Sequence, residues 1–173
     1  MNIEHLKSSI RNVPDFPKPG IQFKDITTLL QDTDVFQETI DIFYQQFKDK
    51  EIETVVGIES RGFIFAAPLV LKLGCSLVIA RKPGKLPYES VKEEYQLEYG
   101  TDAIEMHKDA INEGDRILIV DDLLATGGTA KATGSLVEIL GGKIVSFAFL
   151  INLVYLKGVE KLKPHHVFSI VDF

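Results

Sequence analysis

Ile117-Leu118-Ile119-Val120-Asp121-Asp122-Leu123-Leu124-Ala125-Thr126-Gly127-Gly128-Thr129 joins a buried strand to a helix through two acids and a turn of small residues. The apolar run Ile117–Val120 carries the chain through a sheet and releases Asp121 and Asp122 at its carboxyl end. The small residues that follow let backbone N–H groups converge on an anion at the start of the next helix, where the helix dipole also favours negative charge. Thr126 and Thr129 add hydroxyl donors, while Gly127 and Gly128 permit close approaches that a Cβ would hinder. Adjacent carboxylates repel unless something cationic or hydroxyl-rich lies beside them. A monophosphate suits the loop, and a ribose diol with Mg²⁺ nearby suits the acids. Either half of the pattern is commonplace alone; their junction is what points to a ligand.

Working outward, Thr54–Ile58 reads as a buried strand, Gly62–Leu73 as an apolar helix stopped by Gly74, and Ser76–Ala80 as the next strand. Beyond Arg116–Val120 come a helix over Thr129–Leu140, closed by Gly141-Gly142, and strands over Lys143–Leu150 and Val167–Val171. At the other end, Ile3, Leu6 and Ile10 give a loose helical pattern over residues 2–12. A rigid Pro-rich loop, Pro14–Gly20, follows, and then a helix over Asp34–Phe47 that Asp32, Thr33 or Asp34 can cap. Residues 82–100 are polar, punctuated by Gly84, Pro87 and Gly100, and read as a hairpin arm with few apolar anchors. Continuous apolar strands alternating with helices predict an α/β fold, a parallel twisted sheet flanked by helices. Ligands of such sheets bind beyond the carboxyl ends of the strands.

The 173 residues suit one domain with a core that needs neither disulfides nor a structural metal. A net charge of −6 argues against a general nucleic-acid surface, so an anionic ligand must be held by local cations. The four histidines lack metal-ligand spacing, so no protein-built zinc site is expected, and the single cysteine, Cys75, reads as a small core residue. No stretch has the length and apolarity of a signal peptide or a membrane span, which predicts a cytoplasmic protein. Gly57–Gly62 is followed by Phe63 and Ile64 where a P-loop requires Lys and Ser or Thr.

The Ile117–Thr129 stretch resembles the phosphoribosyl pyrophosphate signature of type I phosphoribosyltransferases. Further segments are similar to the adenine-specific branch: Phe16–Ile26, Gly57-Ile58-Glu59-Ser60-Arg61-Gly62-Phe63, Arg81-Lys82-Pro83-Gly84-Lys85-Leu86-Pro87, and Leu97-Glu98-Tyr99-Gly100. The resemblance runs from about residue 12 to the C-terminus. It implies a small N-terminal hood (about residues 1–33), a flexible hairpin lid (about 82–100), and transfer of phosphoribosyl from phosphoribosyl pyrophosphate to adenine, giving AMP and pyrophosphate. Asn152 and Val159 depart from the family pattern, where an acid and an arginine are common.

Residue by residue, the resemblance implies that Ala125, Thr126, Gly127, Gly128 and Thr129 hold the 5′-phosphate, and Asp121 and Asp122 the ribose hydroxyls. Arg61 and the backbone at Glu59-Ser60 would meet pyrophosphate, across a non-proline cis peptide, with Arg81, Lys82 and Lys85 adding charge. Phe23 would stack on adenine, backbone groups of Gln22 and Lys24 would read its edge, and Leu123 would cover its other face. Glu98, beside Tyr99, would face N7 as the acid. Mg²⁺ would ride mainly on substrate oxygens, no protein metal site being expected, and a homodimer is implied. Taken alone, Phe23 reads as a core aromatic and Glu98 as one solvated charge among several. Two rival functions remain at this level: transfer to hypoxanthine, guanine or xanthine, and a non-catalytic sensor of phosphoribosyl pyrophosphate.

Overall fold

The computed structural model describes residues 3–96 and 100–173. Its packing divides the chain into two compact units, residues 1–42 and 43–173.

The first unit begins with α1 (Ile3–Ser9), shorter than the apolar periodicity over 2–12 implies. The helix stops because β1 (Arg11–Pro14) turns extended and pairs antiparallel with β2 (Gln22–Asp25) around the Pro-rich loop. Asp25 then opens α2 (Thr27–Gln31), its carboxylate accepting the Thr27 N–H at 2.9 Å and the Thr27 hydroxyl at 2.8 Å. The Thr28 hydroxyl donates to Ser9 O at 2.6 Å, tying α2 to the end of α1. Asp32 starts α3 (Thr33–Phe47), its Oδ1 accepting the N–H groups of Asp34 at 3.1 Å and Val35 at 3.2 Å.

In the second unit, β3 (Thr54–Ile58), α4 (Gly62–Leu73) and β4 (Ser76–Ala80) fall where the apolar runs predict them. With β7 (Arg116–Leu124), β8 (Lys143–Asn152) and β9 (Val167–Asp172) they build a parallel five-stranded sheet in the order β4-β3-β7-β8-β9. Helix α5 (Gly128–Ile139) lies between β7 and β8 in the chain, and a short α6 (Gly158–Lys161) between β8 and β9. The core is aliphatic around β3, β7 and α5, with Ile58, Ile117, Ile119 and Leu136 fully buried, while Phe43 and Phe47 meet Phe168 edge-on.

Two expectations are corrected. The arm is longer and better anchored than residues 82–100: β5 (Ser90–Gln96) pairs with β6 (Thr101–His107), and Ile104 and Met106 are fully buried. Two acids within β6 (Asp102, Glu105) hide this second strand from a reading that looks for continuous apolar runs. At the edge of the sheet, Leu77 and Ile79 of β4 are 41% and 37% exposed. Cys75 is half-buried in the turn before β4 rather than a core residue, and burial pushes its thiol pKa up. No helix among the described residues is long and apolar enough to cross a membrane.

Candidate active site

From β3 the chain passes through α4 outward to β4, whereas β7 returns on the opposite side of β3. The loops leaving β3 and β7 therefore part in opposite directions and open a crevice at the carboxyl ends of the strands. A cleft of about 310 Å³ there is lined by Glu59, Ser60, Arg61, Lys82, Asp121, Asp122, Leu123 and Thr129. A recess of about 90 Å³, lined by Asp121 and residues 123–130, adjoins it. A hollow of about 320 Å³ between β5 and α5 has Glu93 and Glu94 among its walls and lacks the strand ends that converge on the cleft.

β7 continues past Val120, pairing Asp121 with Phe149, Leu123 with Ile151 and Leu124 with Asn152. The two acids thus belong to the strand itself rather than following it. Asp122 is 4% exposed, and Arg61 Nε lies 2.9 Å from its Oδ2. That contact is an ion pair without hydrogen-bond alignment, since Oδ2 has no hydrogen-bond partner. Gly62 makes the approach possible: a Cβ there would come within 2.7 Å of Val120 O and 3.0 Å of Asp121 Oδ1, so α4 begins against β7. Asp121 Oδ1 accepts the Asp122 N–H at 2.8 Å. Burial, then the neighbouring Asp122 charge, lifts the Asp121 carboxyl well above its ordinary pKa. Burial also raises Asp122, with Arg61 pulling the other way. Two adjacent carboxylates face one arginine here, and a hydroxyl donor or cation would relieve their repulsion.

The loop after Leu124 turns at Gly127, whose φ of 79° favours glycine, and α5 starts at Gly128. The first-turn N–H groups of α5 have no partner within the helix and face an anion-sized recess. The Glu59-Ser60 peptide is cis, as the resemblance implied. Glu59 itself organises the next strand end: its carboxylate accepts the Lys82 N–H at 2.7 Å and pairs with Arg81 at 3.2 Å. Burial opposes its ionisation, but these contacts outweigh that and leave its pKa lowered.

The match to the phosphoribosyl transferase domain model covers residues 25–172. The chain is 53% identical to the adenine phosphoribosyltransferase of Chloroflexus aurantiacus over the full length of both. It is 55% identical to that of Solibacter usitatus over 97% of each chain. The chain belongs to the adenine phosphoribosyltransferase family. Among solved family members, the enzyme from Thermoanaerobacter pseudethanolicus superposes with a TM-score of 0.97 at 48% identity, covering 99% of this chain and 100% of that one. The Saccharomyces cerevisiae enzyme, solved with an imino-altritol bisphosphate and adenine, gives 0.93 at 41% identity over 98% of both chains. The predicted type I phosphoribosyltransferase fold is therefore borne out.

Against this adenine phosphoribosyltransferase framework, the structure brings Glu59, Ser60, Arg61, Lys82, Asp121, Asp122, Leu123 and Thr129 to one cleft. Ala125, Thr126, Gly127 and Gly128 line the adjoining recess. Arg61 meets Asp122, so the anion that an arginine at a helix start requires is supplied here by the protein. Lys82 lines the cleft, yet its ammonium pairs with Asp102 and donates to the Tyr95 hydroxyl at 2.7 Å. Lys85 is exposed and is not a wall of the cleft; its carbonyl accepts from Arg81 at 3.2 Å. Glu98 and Tyr99 lie outside the described residues.

Gln22, Phe23 and Lys24 occupy β2 in the first unit, where Phe23 meets Phe16 edge-on at 5.1 Å. As alternate residues of a two-stranded ribbon, Gln22 and Lys24 direct their backbone groups to the same side. The Asn152 departure has a physical reason: its amide donates to Asp172 Oδ1 at 3.1 Å, where an acid would meet a like charge. Nothing in the structure explains Val159. The sequence reading missed Tyr95 and Asp102, which stand opposite each other on the hairpin; the Tyr-x-x-x-x-x-x-Asp spacing across Gly100 was the signal available.

Proposed function

We propose that this chain transfers the phosphoribosyl group of phosphoribosyl pyrophosphate to adenine, releasing AMP and pyrophosphate. The observation that carries the reading is the Asp121–Asp122 pair, half-buried and buried in turn, joined to the Ala125–Gly128 turn at the β3/β7 crevice. A sugar phosphate matches both halves, the diol donating to the acids and the phosphate accepting from the turn.

In the reaction, adenine N9 bonds to the anomeric carbon as the bond to pyrophosphate breaks, and the N9 proton passes to solvent. Leu123 lines the cleft beside the acids, in the position to bound the base. Phe23 is the stacking partner carried over from the resemblance, with the Gln22 and Lys24 backbone at the base edge. Glu98, protonated, donates to N7 and eases electron flow towards the ring. Arg61 lines the cleft and Arg81 directly follows β4, and positive charge there favours the departing anion. Lys82 and Lys85 serve the same need as substrate draws them in.

Among the described residues no three His, Cys, Asp or Glu side chains converge to cage a metal. Mg²⁺ tolerates that, keeping several waters and taking one or two carboxylates plus ligand oxygens. Glu59 is engaged by Arg81 and Lys82, and Asp122 by Arg61, so Mg²⁺ would ride mainly on substrate oxygens with Asp121 as the acid beside it. When bound it neutralises pyrophosphate charge. A homodimer in the cytoplasm completes the reading, and the exposed Leu77 and Ile79 of edge strand β4 favour a covered face.

Incubation with Mg²⁺, phosphoribosyl pyrophosphate and each purine base in turn, with the nucleotide identified by mass, tests the proposal. AMP as the dominant product is expected. IMP, GMP or XMP in its place would reassign the base, and no nucleotide with any base would overturn the activity.

A further inference from the structure

The phosphate turn does not stand alone. A Cβ on Gly158 would lie 2.3 Å from Ala125 O and 3.0 Å from two carbons of the Leu124 side chain. A Cβ on Gly127 would lie 2.7 Å from Gly158 O and 3.3 Å from Gly158 C and Cα. The two glycines therefore face each other with backbone against backbone, 31 residues apart in a chain that has traversed α5 and β8 between them. Gly158 is buried, and it follows Lys157, held at a φ of 54° that a side chain rarely adopts. The Leu153 N–H donates to Leu124 O at 3.0 Å and fixes the start of the same corner against the end of β7.

Orientation gives this contact a consequence for binding. In a trans peptide the C=O and the following N–H point in opposite directions. Ala125 O faces Gly158, so the Thr126 N–H points away from Gly158. Among the described residues neither Thr126 N–H nor Gly127 N–H has an acceptor. These are the donors an anion in the recess would use.

We propose that Gly158 is a positioning residue for the 5′-phosphate: it is the floor on which the Ala125–Gly127 turn rests. Its missing side chain is what lets the turn settle with its carbonyl down and its N–H groups up. This rests on the reading that the turn binds the phosphate of phosphoribosyl pyrophosphate and AMP. It adds that the phosphate site is built from two separated segments, the second contributing shape and no contact to the ligand. A Cβ at Gly158 must push against backbone rather than a flexible side chain, so the turn has to lift.

The test is Gly158→Ala, titrated calorimetrically with AMP and with adenosine, which lacks the phosphate, and assayed for both substrates. AMP affinity should fall about tenfold or more, the effect of one lost charge-assisted hydrogen bond. Adenosine affinity and KM for adenine should stay within about twofold, and KM for phosphoribosyl pyrophosphate should rise. A purely structural role would instead lower melting temperature and the active fraction, without separating AMP from adenosine. That result, or unchanged AMP affinity, would overturn the proposal. If wild type itself fails to bind AMP, the functional reading fails first, and the floor with it.

Should Gly158→Ala not fold, wild-type hydrogen exchange decides. AMP should slow exchange at 125–129 and at 157–160 together, while adenosine slows neither. Protection confined to 125–129 would contradict the proposal.

Discussion

The β7–α5 turn and the hairpin arm border the same crevice, but they are held by different forces. At the turn, backbone packs on backbone: Gly62 against Val120, and Gly127 against Gly158, leave no room for a side chain. At the arm, the visible ties to the cleft are side chains, Lys82 with Asp102 and the Tyr95 hydroxyl, beside an apolar anchor of Ile104 and Met106. Close-packed backbone has one arrangement, whereas ion pairs between groups about one-third exposed exchange cheaply with water or ligand. The turn is thus suited to grip the part of the substrate that stays constant. The arm is suited to act on the part that changes. Substitutions at the two places should separate binding from turnover.

The largest separation is expected at Glu98. Glu98→Gln should lower kcat on the order of 10²–10⁴-fold with little change in KM, since a general acid acts in the transition state. Near-wild-type turnover in a single-turnover assay would remove the arm from the chemistry.

Proteolysis sharpens the contrast next. Lys82 precedes Pro83 and Lys92 is registered opposite Glu105 within β5, which leaves exposed Lys85 as the tryptic site of the arm. Early cleavage after Lys85 in the free protein, strongly suppressed by Mg²⁺ with phosphoribosyl pyrophosphate and weakly by adenine, is expected in fragment mapping. Equal cleavage in every ligand state would mark the arm as a fixed surface hairpin.

At the turn, the raised Asp121 carboxyl carries a stability signature. The folded, ligand-free protein holds that proton more readily than the unfolded chain, so stability is fully present below about pH 4 and declines as pH rises through the elevated folded value. Asp121→Asn removes the dependence. Its melting temperature should exceed wild type at pH 7, with the gap closing as pH falls toward 4; a gap constant with pH would place the strain elsewhere.

The smallest effect belongs to the arm's ion pair. Lys82 first, by hydrogen bonding, holds Asp102 below the usual carboxylate range. Its contribution is present above about pH 4 and is lost as pH falls through the lowered folded value. With both side chains about one-third exposed, Asp102→Asn should cost no more than about 1 kcal/mol in denaturant titration at pH 7, and less at pH 3. A loss several times larger would show the arm to be as firmly built as the turn.

The same contrast governs what was legible in the sequence. Thr54–Ile58, Gly62–Leu73 and Ser76–Ala80 could be read to the residue because apolar runs and the Gly74 stop encode them locally. The turn was legible because Asp121–Thr129 carries its chemistry in consecutive residues. What escaped depends on partners distant in the chain. β7 extends through its acids because β8 offers Phe149, Ile151 and Asn152 as neighbours, and no local signal marks that. β1 and β2 are four residues each and exist through each other. β6 mixes acids with its buried Ile104 and Met106, so its pairing with β5 makes the strand. Gly158 reads as an ordinary loop glycine until Ala125 is found resting on it.

The central claim is that Asp121, Asp122 and the turn after Leu124 bind the phosphoribosyl group, while other residues recognise the base. Calorimetric titration of Asp121→Asn/Asp122→Asn with AMP and with free adenine tests it most directly. AMP affinity should collapse while adenine affinity stays near that of wild type. Equal loss for both ligands, or undiminished AMP binding, would contradict the account.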